Sequence, residues 1–195
     1  VCSSDLALDN INGKINSGRS ITIDTAKSSI NNTTGGNICA ASDINILSGA
    51  LDNANGKIAS GGMLTVNTNN NKLNNSGRSK NAGIEAAIVL IESGELSNSN
   101  GQIHGNYINL KNSSMANNSG VIDADGNVEI NSTGNIENIT GLIRSSAANV
   151  KITTTKAIKN NNNKSLDPAG AEAKGIISGS GTDISADYVF NNAGT

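Results

Sequence analysis

Leu51-Asp52-Asn53-Ala54-Asn55-Gly56-Lys57-Ile58 decides the fold, because it recurs along the chain. The same frame reads Leu8-Asp9-Asn10-Ile11-Asn12-Gly13-Lys14-Ile15 and Leu96-Ser97-Asn98-Ser99-Asn100-Gly101-Gln102-Ile103. Met115 to Ile122 and Ile136 to Ile143 keep the pattern, and looser copies open at Ile30, Leu73, Ile158 and Phe190. Successive copies start about 21 residues apart until the last, a regularity that chance does not sustain. Every copy opens on a large hydrophobe and carries Asn two residues later: Asn10, Asn32, Asn53, Asn75, Asn98, Asn117, Asn138, Asn160 and Asn192. The position between them varies and is polar or small. Constancy on one side and variation on the other is the period of a strand, with the hydrophobe and the Asn inward.

Gly13, Gly35, Gly56, Gly101, Gly120 and Gly141 follow where a tight turn is expected to demand positive φ. Ile15, Ile58, Ile103, Ile122 and Ile143 then open a second inward-facing strand. Alternating pairs such as Ile21/Ile23, Ile44/Ile46, Leu64/Val66, Ile108/Leu110, Val128/Ile130 and Val150/Ile152 supply a third. Three short strands per repeat describe one coil of an all-β parallel β-helix. A single coil cannot bury its own apolar residues, but coils stacked about 4.8 Å apart build a continuous aliphatic column. A sandwich or barrel of short strands is the alternative, and it leaves the recurring Asn unexplained.

Composition agrees. The chain has 195 residues with 34 Asn, 24 Ser and 22 Gly, and Ile outnumbers Leu 24 to 11, a mixture of turn formers and β-branched aliphatics. Fourteen basic against 16 acidic residues leave no polybasic footprint for nucleic acid or an anionic membrane. No apolar run approaches the roughly 20 residues of a transmembrane helix. With no Trp, one Phe and two Tyr, an aromatic-walled pocket is not expected. Val1-Cys2-Ser3-Ser4-Asp5-Leu6 resembles the translated tail of a sequencing adapter, so residues 1–6 are expected to lie outside the fold, with 7–195 a single repeat segment of a longer chain. Cys39 then stands alone and is expected to be a buried, inert hydrophobe.

The frame Leu-x-Asn-x-x-Gly-x-Ile followed by an alternating strand resembles the haemagglutinin repeat of filamentous haemagglutinins, the large exoproteins of bacterial two-partner secretion. The stalks of contact-dependent growth-inhibition toxins look similar. The resemblance runs from Leu8 to Gly194. It implies a right-handed β-helix, exported through an outer-membrane two-partner-secretion transporter and displayed at the bacterial surface as a shaft. That shaft would contact a receptor or glycan on a host or neighbouring cell, or present a toxin tip. The family's Asn-Pro-Asn-Leu secretion motif is not matched here.

Residues that could carry chemistry each have a plainer reading. Asp123-Ala124-Asp125-Gly126-Asn127 has the alternating carboxylates of a calcium loop but no bidentate acid at the required distance, so it reads as an Asp-Gly turn. His104 follows inward Ile103 and is expected to face solvent. Gly179-Ser180-Gly181 and Gly35-Gly36 read as turns, since no helix follows to complete a phosphate cradle. Asn112-Ser113-Ser114 matches a glycan acceptor, common by chance in this composition. No cofactor or metal is expected. A β-helical polysaccharide lyase or glycoside hydrolase is the functional alternative; it needs carboxylates clustered on one face. The acids look scattered, and Glu92 and Glu95 find no partner one coil away. Catalysis is therefore not expected. An ice-binding ladder would repeat Thr153-Thr154-Thr155 in every coil, and it occurs once.

Two copies depart from the repeat. The one opening at Leu73 gains 77–83, and the one opening at Ile158 gains 163–175. Extra residues cannot enter a stacked coil without breaking register, so they are expected to loop outward. Arg78, Lys80, Lys164 and Lys174 are the candidate loop contacts. Limited proteolysis is expected to cut first within 163–175; first cleavage inside 100–150 contradicts the register. Strand edges left bare at both ends of the segment are expected to pair end to end, giving oligomers that grow with concentration.

Overall fold

A computed structural model describes residues 6–79, 81–162 and 174–193. Strands are the only regular element among them. The chain winds into a parallel β-solenoid of about seven turns, with about 22 residues per turn. The first strands of successive coils, from Leu8–Asp9 through Leu51–Asp52 to Tyr188–Ala193, pair in chain order as one nine-stranded parallel sheet. The second and third strands belong to a thirteen-stranded sheet that closes the rest of the coil.

Register puts like over like. Leu51 lies between Ile30 and Leu73, Ile58 between Ile38 and Ile84, and Leu64 between Ile44 and Val89. These side chains are buried and form one cluster running along the axis. The period-two alternation explains why: each inward residue meets its counterpart one rung away, and each outward residue meets water.

The structure corrects four details of the sequence reading. In three central coils the second and third strands are one continuous strand, Lys57–Asn67, Gly83–Glu92 and Gln102–Asn112, so those coils have two strands rather than three. The bend survives as a register slip opposite Ala86/Ile88. At the far end Val189, not Phe190, stacks on Ile158, and Asn191 rather than Asn192 pairs with Asn160. The second correction arises because a coil tolerates a change in length at a corner when the inward residues keep their rungs.

The turn glycines are needed for a different reason than positive φ. The left-handed residue is usually the one before: Asn12 (φ 52°), Asn55 (54°), Asn100 (58°), Ser119 (54°) and Thr140 (54°). Of the six glycines expected to need it, Gly35 alone takes positive φ, at 83°, in a turn that is one residue longer, and Gly36 follows it. What Gly36, Gly56, Gly101, Gly120 and Gly141 share is space. A Cβ there would overlap the backbone carbonyl oxygen of the ladder Asn one coil earlier: Asn10, Asn32, Asn75, Asn98 and Asn117 respectively. Glycine lets one coil settle on the next at the corner where the chain turns hardest. The fourth correction is Cys39. It lies between buried Ile38 and Ala40, so it points outward, and its thiol donates to Asn37 Oδ1 (2.6 Å).

Candidate functional site

Two features repeat with the coil and could carry function: an internal amide ladder and an outward column of charge. The ladder comes from the Asn at the end of each first strand. Asn10, Asn32, Asn53, Asn75, Asn98, Asn117, Asn138 and Asn160 are all buried. Each Nδ2 donates to the Oδ1 of the next coil's Asn: Asn10 to Asn32 at 2.6 Å, Asn53 to Asn75 at 2.8 Å, Asn98 to Asn117 at 2.7 Å and Asn138 to Asn160 at 2.7 Å. Asn160 hands the chain on to Asn191 at 2.8 Å. In several of them the second amide hydrogen caps a carbonyl of the following coil, as in Asn75 to Gln102 O (2.9 Å) and Asn117 to Leu142 O (3.0 Å), whereas Asn138 turns to Gly141 O (3.2 Å) of its own coil. An amide suits this position because it donates and accepts at once; a carboxylate or a hydroxyl cannot fill both roles twice over. The arrangement holds the turn and carries no reactive group. Its role is cohesion.

A second buried polar column was missed in the sequence. Thr25, Ser48, Thr68, Ser93, Asn112, Ser132 and Thr154 close the third strand at the corner before each new coil. Several satisfy themselves locally, as Thr25 donates to Ser28 O (2.5 Å), Ser48 to Gly49 O (3.0 Å) and Thr68 to Asn71 O (2.6 Å), while Thr154 donates to Gly134 O (2.6 Å) of the coil before. The signal was there, a Ser, Thr or Asn three to five residues before each opening hydrophobe, but its variable spacing hides it from a fixed-period comparison. Burial of Asn112 also removes the Asn112-Ser113-Ser114 acceptor from consideration.

The charged column occupies the outer face of the second strand. Glu85, His104, Asp123 and Arg144 stand on four successive rungs, each one residue after an inward Ile. Asp123 is thus in a strand, Val121–Ala124, and not in the Asp-Gly turn read from sequence. The acids are also less scattered than expected, since Glu85 and Asp123 share this face with one rung between them. Arg144 grips Asp123 with two hydrogen bonds, Nε to Oδ1 at 2.8 Å and Nη2 to Oδ2 at 2.7 Å. That hydrogen bond, and then the carboxylate's charge, raise the Arg144 pKa above its ordinary value. His104 Nδ1 sits 3.9 Å from Asp123 Oδ2, and Lys57 lies 3.4 Å from Glu85. Shallow hollows on this face, the larger about 460 and 400 Å³, are bordered by His104.

Both carboxylates of this column already face cations of the same chain, and no group of three or more His, Cys, Asp or Glu among the described residues could hold a metal. The column's pairs lie at the surface, where one ion pair contributes at most about 1 kcal/mol. Asp123→Asn should therefore lower unfolding free energy by roughly 0.5 kcal/mol, and a double-mutant cycle with Arg144→Ala should recover most of that as coupling. A cost several times larger would mean that the column holds the rod together, contrary to its exposure.

The loop candidates do not converge. Arg78 is exposed and its Nε donates to Asn100 Oδ1 (3.0 Å), bracing the neighbouring turn. Lys174 is exposed beside Gly175, which lies three rungs beyond Gln102. Lys80 and Lys164, with the stretch 163–173, lie outside the described residues, as do residues 1–5 of the opening segment. Among the described residues no helix is long and apolar enough to cross a membrane. No family model, curated protein or solved structure matches the chain.

Proposed function

We propose that this chain is a non-catalytic shaft segment of a large secreted bacterial surface protein, spacing an adhesive or toxic tip from the cell that carries it. The observation that supports this reading is the run of amide bonds from Asn10 to Asn191, beside an aliphatic core that forms one buried cluster from Ile21 to Ile158. Such a rod resists bending because each coil is bonded to its neighbours along the axis by both backbone and side chain. The repeat's likeness to filamentous haemagglutinins points the same way. It suggests export by a two-partner-secretion transporter and contact with a receptor or glycan on another cell.

Antibodies raised against the chain test the location. Labelling of intact source cells, or recovery of the antigen from the medium, is expected. Antigen reached only after lysis would refute surface display. The β-helical lyase or hydrolase reading is addressed by incubating the chain with polyuronates and neutral glycans. Release of unsaturated or reducing ends would replace the shaft reading with catalysis.

A further inference from the structure

The corner between the third strand and the next first strand is not uniform. Its turn spans 68–72 in one coil, shrinks to 93–94 and then to 113, and widens again to 133–135. Two short turns between two longer ones cut a notch across the corner, about three rungs or roughly 14 Å wide. Asn70 and Thr133 stand at its two walls, and the space between is about 330 Å³. Ser93 and Asn112 form the floor; they are 4 % and 6 % exposed.

At these two rungs the polar column loses its internal partners. Ser93 Oγ, Asn112 Oδ1 and Asn112 Nδ2 are buried without a hydrogen bond, whereas Thr68 on one side donates to its own turn and Thr154 farther along donates to Gly134 O of the coil before. The short turns offer fewer carbonyls, and Gly94 O already accepts from Ser113 N (2.9 Å). An unpaired buried amide is costly, so an occupant that supplies both a donor and an acceptor is favoured. All three atoms belong to residues that line the notch. Glu92 and Lys111 flank the notch on adjacent rungs.

We propose that this notch binds a neutral polyhydroxylated ligand, a single sugar unit. Donor and acceptor capacity are mixed and the flanking charge is balanced. An anion would meet Glu92 and Asn112 Oδ1, a divalent cation would meet Lys111, and an apolar group would leave the floor unpaired. A hydroxyl both donates and accepts, which matches Ser93 and each end of the Asn112 amide. The site does not depend on the shaft reading. With no aromatic platform, affinity for one sugar should be weak, with Kd on the order of 1 mM.

The test is a titration of the isotope-labelled 195-residue chain, followed by amide resonances, with galactose, mannose and N-acetylglucosamine. Inorganic phosphate and calcium chloride serve as charged probes. At least one sugar should shift the Asn112 side-chain amide and Ser93 signals saturably, and neither charged probe should do so. Asn112→Leu should abolish the shifts. Lys111→Ala, an exposed change that leaves the floor intact, should weaken binding about threefold. Three results would overturn the proposal: no sugar effect up to on the order of 100 mM, an effect from phosphate or calcium in its place, or sugar shifts unchanged in both variants.

Discussion

Asn98→Asp should destabilise the solenoid by about 3–5 kcal/mol, while Ser97→Asp, one residue earlier, should cost under about 0.5 kcal/mol. The contrast rests on orientation. Asn98 Nδ2 donates to Asn117 Oδ1 (2.7 Å) and Val121 O (3.1 Å), and Asn98 Oδ1 accepts from Asn75 Nδ2 (2.8 Å). A carboxylate keeps the last bond and turns the other two into oxygen facing oxygen, in a site with no exposure. Burial and the facing oxygens raise the new acid's pKa. The penalty is therefore full above that raised folded pKa, shrinks as pH falls from there to the ordinary carboxylate range, and is smallest below it, where the protonated oxygen can donate. Urea unfolding of both variants at neutral and acidic pH measures this. Equal costs at the two positions would place the Asn at the surface and undo the ladder.

Gly56→Ala is the second large effect, about 3 kcal/mol or more, with Gly18→Ala as its control. An Ala Cβ at 56 would overlap the Asn32 carbonyl oxygen, an atom that cannot move aside because it belongs to the backbone of the coil before. The coils must separate at that corner, and the amide bond from Asn32 to Asn53 (2.7 Å) stretches with them. Gly18 meets nothing within 4 Å. Replacing it removes freedom from the unfolded chain at no packing cost, so Gly18→Ala should be neutral or stabilising by up to about 1 kcal/mol. Thermal unfolding decides. A tolerated Gly56→Ala would mean that coil spacing is not limited by this contact.

The repeat determined most of the fold by itself. A hydrophobe, a variable residue and an Asn, returning about every 21 residues, settle the inward faces, the parallel stacking and the amide ladder, because a solenoid places each residue directly over its copy one period away. Periodicity is a local property and a sequence displays it directly. What it could not show is where neighbouring coils differ. Whether Val189 or Phe190 continues the stack depends on the rung that Ile158 already holds. Why Gly56 is glycine depends on a carbonyl from a coil 24 residues earlier, not on its own φ. Glu85, His104, Asp123 and Arg144 look unrelated in the chain and share a column only once the strands are in register. The notch over Ser93 and Asn112 exists because two turns are shorter than their neighbours, a difference in depth that becomes a surface only when the coils are stacked.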